Sequence, residues 1–141
     1  MLFGEYQHNI DKKGRVIIPS RLRDGLGEQF MICKGLEENR CLYVYSLDQW
    51  EALTERIQQM PTAKSRTLKR FLYAGAAELE CDSQGRVLIP ANLREYASLE
   101  GTVYIVGASD HAEIWNSEKW LEVSEKTTPG LVAQLMEELN F

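Results

Sequence analysis

The sequence predicts a mainly β, α+β fold: a small pseudo-two-fold β-barrel made of two repeats, with helices at its periphery. Three observations carry that expectation. First, Asp11-Lys12-Lys13-Gly14-Arg15-Val16-Ile17-Ile18-Pro19-Ser20-Arg21-Leu22-Arg23 returns seventy-one residues later as Asp82-Ser83-Gln84-Gly85-Arg86-Val87-Leu88-Ile89-Pro90-Ala91-Asn92-Leu93-Arg94. Second, the segments around both turns are short, apolar and β-branched, which suits strands. Third, the few short strands of one copy cannot bury both faces alone, whereas two interleaved copies could close each other's open edges. Two copies are too few for a solenoid, so a closed two-fold object is the natural expectation.

Glu5 to Ile10 reads as a strand that ends in the turn Asp11-Lys12-Lys13-Gly14. Asp accepts bonds from backbone amides two or three residues on, and Gly tolerates positive φ, so the pair specifies a tight reversal. Arg15 to Ile18 is a β-branched strand that Pro19 ends. Ser20 to Leu26 gives a short helix, with Leu22 and Leu26 on one face and Gly27 as its stop. Phe30 to Cys33 and Cys41 to Tyr45 are strands joined by a polar turn at residues 37–40. Ser46 with Gln49 is a capping box that opens a helix through Met60, with Trp50, Leu53 and Ile57 as its apolar stripe.

Thr62 to Ala74 is a further helix, with Leu68, Leu72 and Phe71 turned inward and its lysines and arginines outward. The second copy replays this order: strands 77–81 and 86–89, helix 91–97, strands 103–106 and 113–115, and a helix from Ser117. A break at Thr127-Thr128-Pro129-Gly130 precedes a last helix, Leu131 to Leu139. Its stripe of Leu131, Leu135, Met136 and Leu139 suits packing into the core or, alternatively, against another subunit. The chain thus divides into half-repeats at 4–50 and 75–120, a helical connection at 51–74 and a C-terminal helical segment at 121–141, all within one compact domain.

Length and composition bound the function. The chain has 141 residues, 44% hydrophobic and 26% charged, as expected of one ordinary globular domain. The apolar runs are strand-sized, which excludes a membrane partner, and no secretory signal opens the chain. Cys33, Cys41 and Cys81 lack metal-ligand spacing and read as free thiols in a reducing cytoplasm. The net charge of −5 conceals strong polarity. Residues 12–23 carry Lys12, Lys13, Arg15, Arg21 and Arg23 with no acid, and residues 56–77 are also purely basic. Residues 95–141 hold nine acids against Lys119 and Lys126. Local sign decides where a polyanion sits.

The repeated Asp-x-x-Gly-Arg is where chemistry should be sought. Turn-making accounts for Asp11, Gly14, Asp82 and Gly85, but less well for Arg15 and Arg86, since an exposed ion pair contributes at most about 1 kcal/mol. An aspartic dyad would need a hydroxyl residue and Gly directly after each Asp, and neither copy has them. His8 and His111 have no metal partners at motif spacing, Ser109-Asp110-His111 is not a triad merely by adjacency, and no phosphate loop is present. No enzyme, no cofactor, no metal and no small-molecule substrate are therefore expected. A nucleic-acid surface fits better. Arg15 and Arg86 can grip guanine in the major groove, while Lys12, Lys13, Ser83 and Gln84 meet phosphates or base edges. A two-stranded ribbon fits that groove.

The duplicated Asp-x-x-Gly-Arg-Val-x-Ile-Pro, the opening Phe3-Gly4-Glu5-Tyr6 and the overall length resemble the MraZ family, within the AbrB/MazE-like swapped-hairpin superfamily. The resemblance covers essentially the whole chain. It implies a swapped-hairpin, AbrB-like barrel and a nucleoid-associated bacterial transcriptional regulator. Its partners would be double-stranded promoter DNA with direct repeats upstream of its own division and cell-wall genes, usually repressed, and further copies of itself in a ring-like homo-oligomer. The family's Asp-x-x-x-Arg motif falls on Asp11 with Arg15 and on Asp82 with Arg86. Arg21, Arg23 and Arg94 are candidates for DNA backbone contact, intersubunit pairing or plain solvation. The alternative class is a protein-binding adaptor or antitoxin-like module.

Overall fold

A computed structural model describes residues 1–141. The order is β1 (Glu5–Ile10), β2 (Arg15–Ile17), α1 (Ser20–Leu26), β3 (Gln29–Lys34), β4 (Leu42–Ser46), α2 (Leu47–Gln58) and α3 (Thr62–Ala74). It then repeats as β5 (Ala77–Glu80), β6 (Arg86–Leu88), α4 (Ala91–Ala97), β7 (Gly101–Gly107), β8 (Ala112–Asn116), α5 (Ser117–Lys126) and α6 (Pro129–Glu137). Each expected element is present within a few residues of its expected bounds. The capping box is also made, with Ser46 Oγ accepting from the Gln49 amide at 3.2 Å.

The sheets cross between the copies. One six-stranded antiparallel sheet runs β1-β7-β8-β4-β3-β5, so the first strand of each copy joins the hairpin of the other. Glu5 to Ile10 faces Val106 to Gly101, and Gln29 to Ile32 faces Glu80 to Ala77. The copies meet at the centre, where Leu42 lies opposite Ile114 and Tyr43 opposite Glu113. β2 and β6 leave this sheet and pair only with each other.

The expected closed swapped-hairpin barrel is therefore not formed. The fold is mixed α and β, with two open sheets. Its physical reason lies at the turns and prolines. Each turn redirects the chain away from the edge it has just built, and Pro19 and Pro90 then end a ribbon of only three residues per strand. β1 and β5 remain sheet edges. Glu5 on β1 and Glu78 and Glu80 on the four-residue β5 keep those edges short and charged.

The repeated motif fills the core from both sides. Val16, Ile18 and Leu22 and their counterparts Val87, Ile89 and Leu93 are all buried in one cluster with Phe30, Ile32, Leu42, Val103, Ile105 and Ile114. Burying one such side chain contributes about 1.5–3 kcal/mol, more than any exposed ion pair in the turns. Packing thus holds the two copies together, and the turns ride on it.

The helices differ between the copies. α2 and α3 cover the outer sheet face of copy one, where Ile57 and Leu72 are buried with Cys33 and where Leu68, Trp50 and Tyr73 pack against them. Phe71, expected inward, instead lies on the surface against Tyr96 and Lys34. In copy two, α5 lays Trp120 against Trp115 and Tyr104. α6, the counterpart of α3 in element order, buries none of its residues. Core packing of its stripe is overturned: Leu131, Leu135, Met136 and Leu139 are all exposed. No helix is long and apolar enough to cross a membrane.

Candidate nucleic-acid interface

Both turns are built by the same three residue types, Asp, Gly and Arg, at the same spacing. In copy one, Asp11 Oδ1 accepts from the amides of Lys13 (3.0 Å) and Arg15 (2.9 Å), and Oδ2 accepts from Arg15 Nε (2.8 Å). In copy two, Asp82 Oδ1 accepts from the amides of Gln84 and Arg86, each at 2.9 Å, and Oδ2 accepts from Arg86 Nε at 2.9 Å. Gly14 (φ 90°) and Gly85 (φ 79°) take the left-handed conformation that closes each turn. Both carboxyls are held below the usual carboxylate range, chiefly by the Arg15 or Arg86 amide and then by that arginine's side chain.

One guanidinium edge is therefore spoken for and the other is free. Asp holds the arginine by Nε, which fixes the direction of the side chain. Nη1 and Nη2 of Arg15 and Arg86 make no hydrogen bond within the chain, and both side chains are about a third exposed (35% and 31%). A fixed guanidinium with two unpaired donors suits a bidentate acceptor such as the guanine edge or a phosphate.

The turns also brace each other. β2 and β6 pair Arg15 with Leu88, Val16 with Val87 and Ile17 with Arg86. Beyond them, the Gly14 carbonyl accepts from Ile89 N, and the Gly85 carbonyl from Ile18 N, each at 2.9 Å. Val16 and Val87 point into the core, leaving Arg15, Ile17, Arg86 and Leu88 on the outer face of the ribbon. At about 3.3 Å per residue, the steps from Gly14 to Ile18 set the turns about 13 Å apart along the ribbon, close to the ~12 Å width of the major groove.

Arg94 and Arg23 lie behind the turns rather than beside them. Arg94 of α4 lies over Gly14 of the other copy, where an added Cβ would come 2.6 Å from its Cζ and Nε, and its Nε donates to the Ile89 carbonyl at 2.9 Å. Arg23 of α1 lies likewise over Gly85, with Nη1 at 2.6 Å from such a Cβ. Its Nε is buried without a partner. DNA backbone contact, subunit pairing and solvation are the expectations for these two; within the chain each packs over the opposite copy's turn glycine, Arg94 with a hydrogen bond and Arg23 without one.

Comparison with known proteins agrees with this duplicated construction. The family model described as "MraZ protein, putative antitoxin-like" matches the chain twice, over residues 1–71 and 72–137. The chain belongs to the MraZ family. A transcriptional regulator MraZ from Acetivibrio thermocellus is 55% identical over 122 residues, 85% of this chain and 84% of that one. Those from Caldicellulosiruptor bescii and a Thermoanaerobacter species are 48% and 46% identical over 145 residues, each spanning both chains completely.

The remaining candidate residues of this MraZ-family chain follow from the same frame. Lys12, Lys13, Ser83 and Gln84 are exposed at the turn tips, and Arg21 is exposed on α1. The polar turn atoms were readable in the sequence; not predicted were the placing of Arg23 and Arg94 over the opposite copy's glycines and the outward parity of Ile17 and Leu88. Simple alternation from Arg15 and Arg86 would have found that parity.

His111 and Glu113 have structural partners. His111 contacts Asp110 through Nδ1 (2.8 Å) and Glu113 through Nε2 (3.0 Å), while Trp115 Nε1 donates to Glu113 at 2.9 Å. The bond to Glu113 raises the imidazole above its ordinary range, aided by Asp110 and opposed by burial. Burial works against the Glu113 carboxylate, yet the bonds from His111 and Trp115 outweigh it and hold it below its usual range. Cys33 and Cys41 are buried free thiols, and burial pushes Cys33 up to about 12.

Proposed function

We propose that this chain regulates transcription by laying its β2–β6 ribbon in the major groove of DNA, with Arg15 and Arg86 as the reading residues. Family membership supports the broader statement, a DNA-binding transcriptional regulator. One observation carries the finer reading: two guanidiniums, each fixed through Nε by its own Asp, face outward with both Nη groups unpaired. Lys12 and Lys13 lie where they can neutralise phosphate, and Ser83 and Gln84 offer hydrogen bonds in the other copy. Asp11, Gly14, Asp82 and Gly85 shape the turns, while Arg23 and Arg94 stiffen them.

The target in this reading is a set of short direct repeats upstream of the chain's own division and cell-wall genes, bound to repress them in the cytoplasm. One chain offers few contacts, so several copies act together in a ring-like assembly. The exposed apolar face of α6 supports that assembly, because its counterpart α3 is packed and α6 is not. A mobility-shift experiment on DNA upstream of the chain's own gene, at two salt concentrations, tests the reading. Wild-type protein retains that DNA specifically, and a variant with Arg15→Ala and Arg86→Ala does not, although it folds. Undiminished specific retention by the variant sinks the assignment of roles.

The exposed α6 face also favours one alternative, an adaptor or antitoxin-like module that captures another protein. A stoichiometric partner in purified material, with no salt-sensitive affinity for DNA, would decide for it.

A further inference from the structure

Resting on the DNA-binding reading above, we infer that Ile17 and Leu88 read thymine, by packing against the C5-methyl groups that line the major groove beside the bases gripped by Arg15 and Arg86. The outer face of the ribbon is a two-by-two patch. Arg15 lies directly across from Leu88, and Ile17 directly across from Arg86. Directly opposed Cβ atoms in such a pair lie about 5 Å apart, so each aliphatic side chain travels with one guanidinium. Arginines occupy one diagonal and aliphatic residues the other.

Folding does not account for the aliphatic diagonal. Val16 and Val87 already supply the apolar contacts of the ribbon on its inner face. Ile17 and Leu88 remain 42% and 57% exposed. Ile is a good strand former, but Leu is not among the residues strands prefer, so Leu88 gains little there. Scattered exposed aliphatics need no explanation. These two are paired by the repeat, share a face with two oriented arginines, and lie between two turns spaced to the width of a groove. A thymine presents its methyl group only in the major groove, and an apolar side chain is the group that recognises it.

The inference sets a mixed specificity: guanine opposite each arginine, with thymine beside it. It also separates two signatures. Contacts to methyl groups release no counterions, so they leave the salt dependence of binding untouched, unlike contacts from lysine to phosphate.

The test needs no mapped operator. The fragment upstream of the chain's own gene is amplified once with thymidine and once with deoxyuridine triphosphate, which removes every C5-methyl group and keeps every base-pairing edge. Wild-type protein should bind the uracil fragment about fourfold more weakly per contacted methyl, the change that about 0.8 kcal/mol per buried carbon represents. A variant with Ile17→Ala and Leu88→Ala should bind both fragments alike, with the salt slope of the wild type. Equal affinity of wild-type protein for the two fragments overturns the inference without recourse to any variant. So does a variant that keeps the full preference for thymine. A variant that loses its oligomeric state in sedimentation while wild-type protein keeps it would make the pair subunit contacts instead, and also overturns it. Failure of wild-type protein to retain either fragment is a different result: it removes the DNA-binding reading itself.

Discussion

The two turns share their skeleton and differ in their charge. Each has an Asp that accepts from two amides and from its own arginine, with a glycine of positive φ, at bond lengths that agree within 0.1 Å. At the tips, Lys12 and Lys13 stand where the other copy has Ser83 and Gln84. Behind the glycines the difference is subtler, since Arg94 finds the Ile89 carbonyl whereas the corresponding Arg23 Nε finds nothing. Shape is common to the copies; charge at the tips and bonding behind the glycines are not.

The comparison breaks first at the arginines. Arg15→Ala and Arg86→Ala should each weaken specific binding by about 1–3 kcal/mol, the range for a good bidentate contact, as read by fluorescence anisotropy. Similar losses for the two would show that both turns read bases. A loss confined to Arg15→Ala would reduce copy two to scaffolding.

Glycine replacement sharpens the contrast behind the turns. Gly14→Ala and Gly85→Ala both impose left-handed backbone on a residue with a Cβ, at about 1–2 kcal/mol. At Gly14 the new carbon also meets the anchored core of Arg94, whereas at Gly85 it meets the free end of Arg23. Thermal melting should therefore fall further for Gly14→Ala, and equal melting temperatures would erase the distinction between the braces.

The lysines give a charge-specific readout. Lys12→Ser combined with Lys13→Gln should lower the salt slope of binding by about two, and Ser83→Lys with Gln84→Lys should raise it by about two. Titrations across a salt series would reveal a failure directly: slopes that ignore both exchanges would move the phosphate contacts elsewhere.

The smallest effect concerns the charged cluster of Asp110 and His111, just before β8, with Glu113 on it, which lies beside Tyr43 and Tyr45 of β4. The folded state raises the His111 imidazole above its usual value near 6.5. Stability from that contact is fully present below the unfolded value and is lost as pH climbs through the folded one. Melting temperature should decline gently from pH 6.5 upward, and His111→Gln should flatten that decline. An unchanged slope in the variant would rule His111 out as its source.

Most of the local structure could be read from residues alone. Alternating Val16 and Ile18, the Asp-Gly turns and the Ser46 cap each have a local physical cause, and the elements formed where those causes lie. Closure of the barrel was not settled by those local causes alone, even though the turns and prolines limit the ribbon to three residues per strand. It depended on whether β2 would stay with the edge it leaves or pair with β6, which is decided by contacts seventy residues away in the chain. Arg23 and Arg94 escaped for the same reason, because the glycines they lie over, Gly85 and Gly14, belong to the opposite copy. The stripe on α6 was visible as periodicity, but periodicity says that a face wants cover and not what covers it.

The crossed pairing of β1 with β7 and of β5 with β3 has a consequence for how such a ribbon can exist at all. Half a chain, with β1 but no β7 and Arg15 but no Leu88 across from it, could complete neither sheet nor ribbon except by finding a second half in solution. Its reading surface would come and go with dilution. Joining the halves through the α2–α3 segment replaces that encounter with an intramolecular one. The joined chain holds its ribbon together at dilutions where separate halves would drift apart. It also lets the two tips drift in charge independently, which a pair of identical halves could never do.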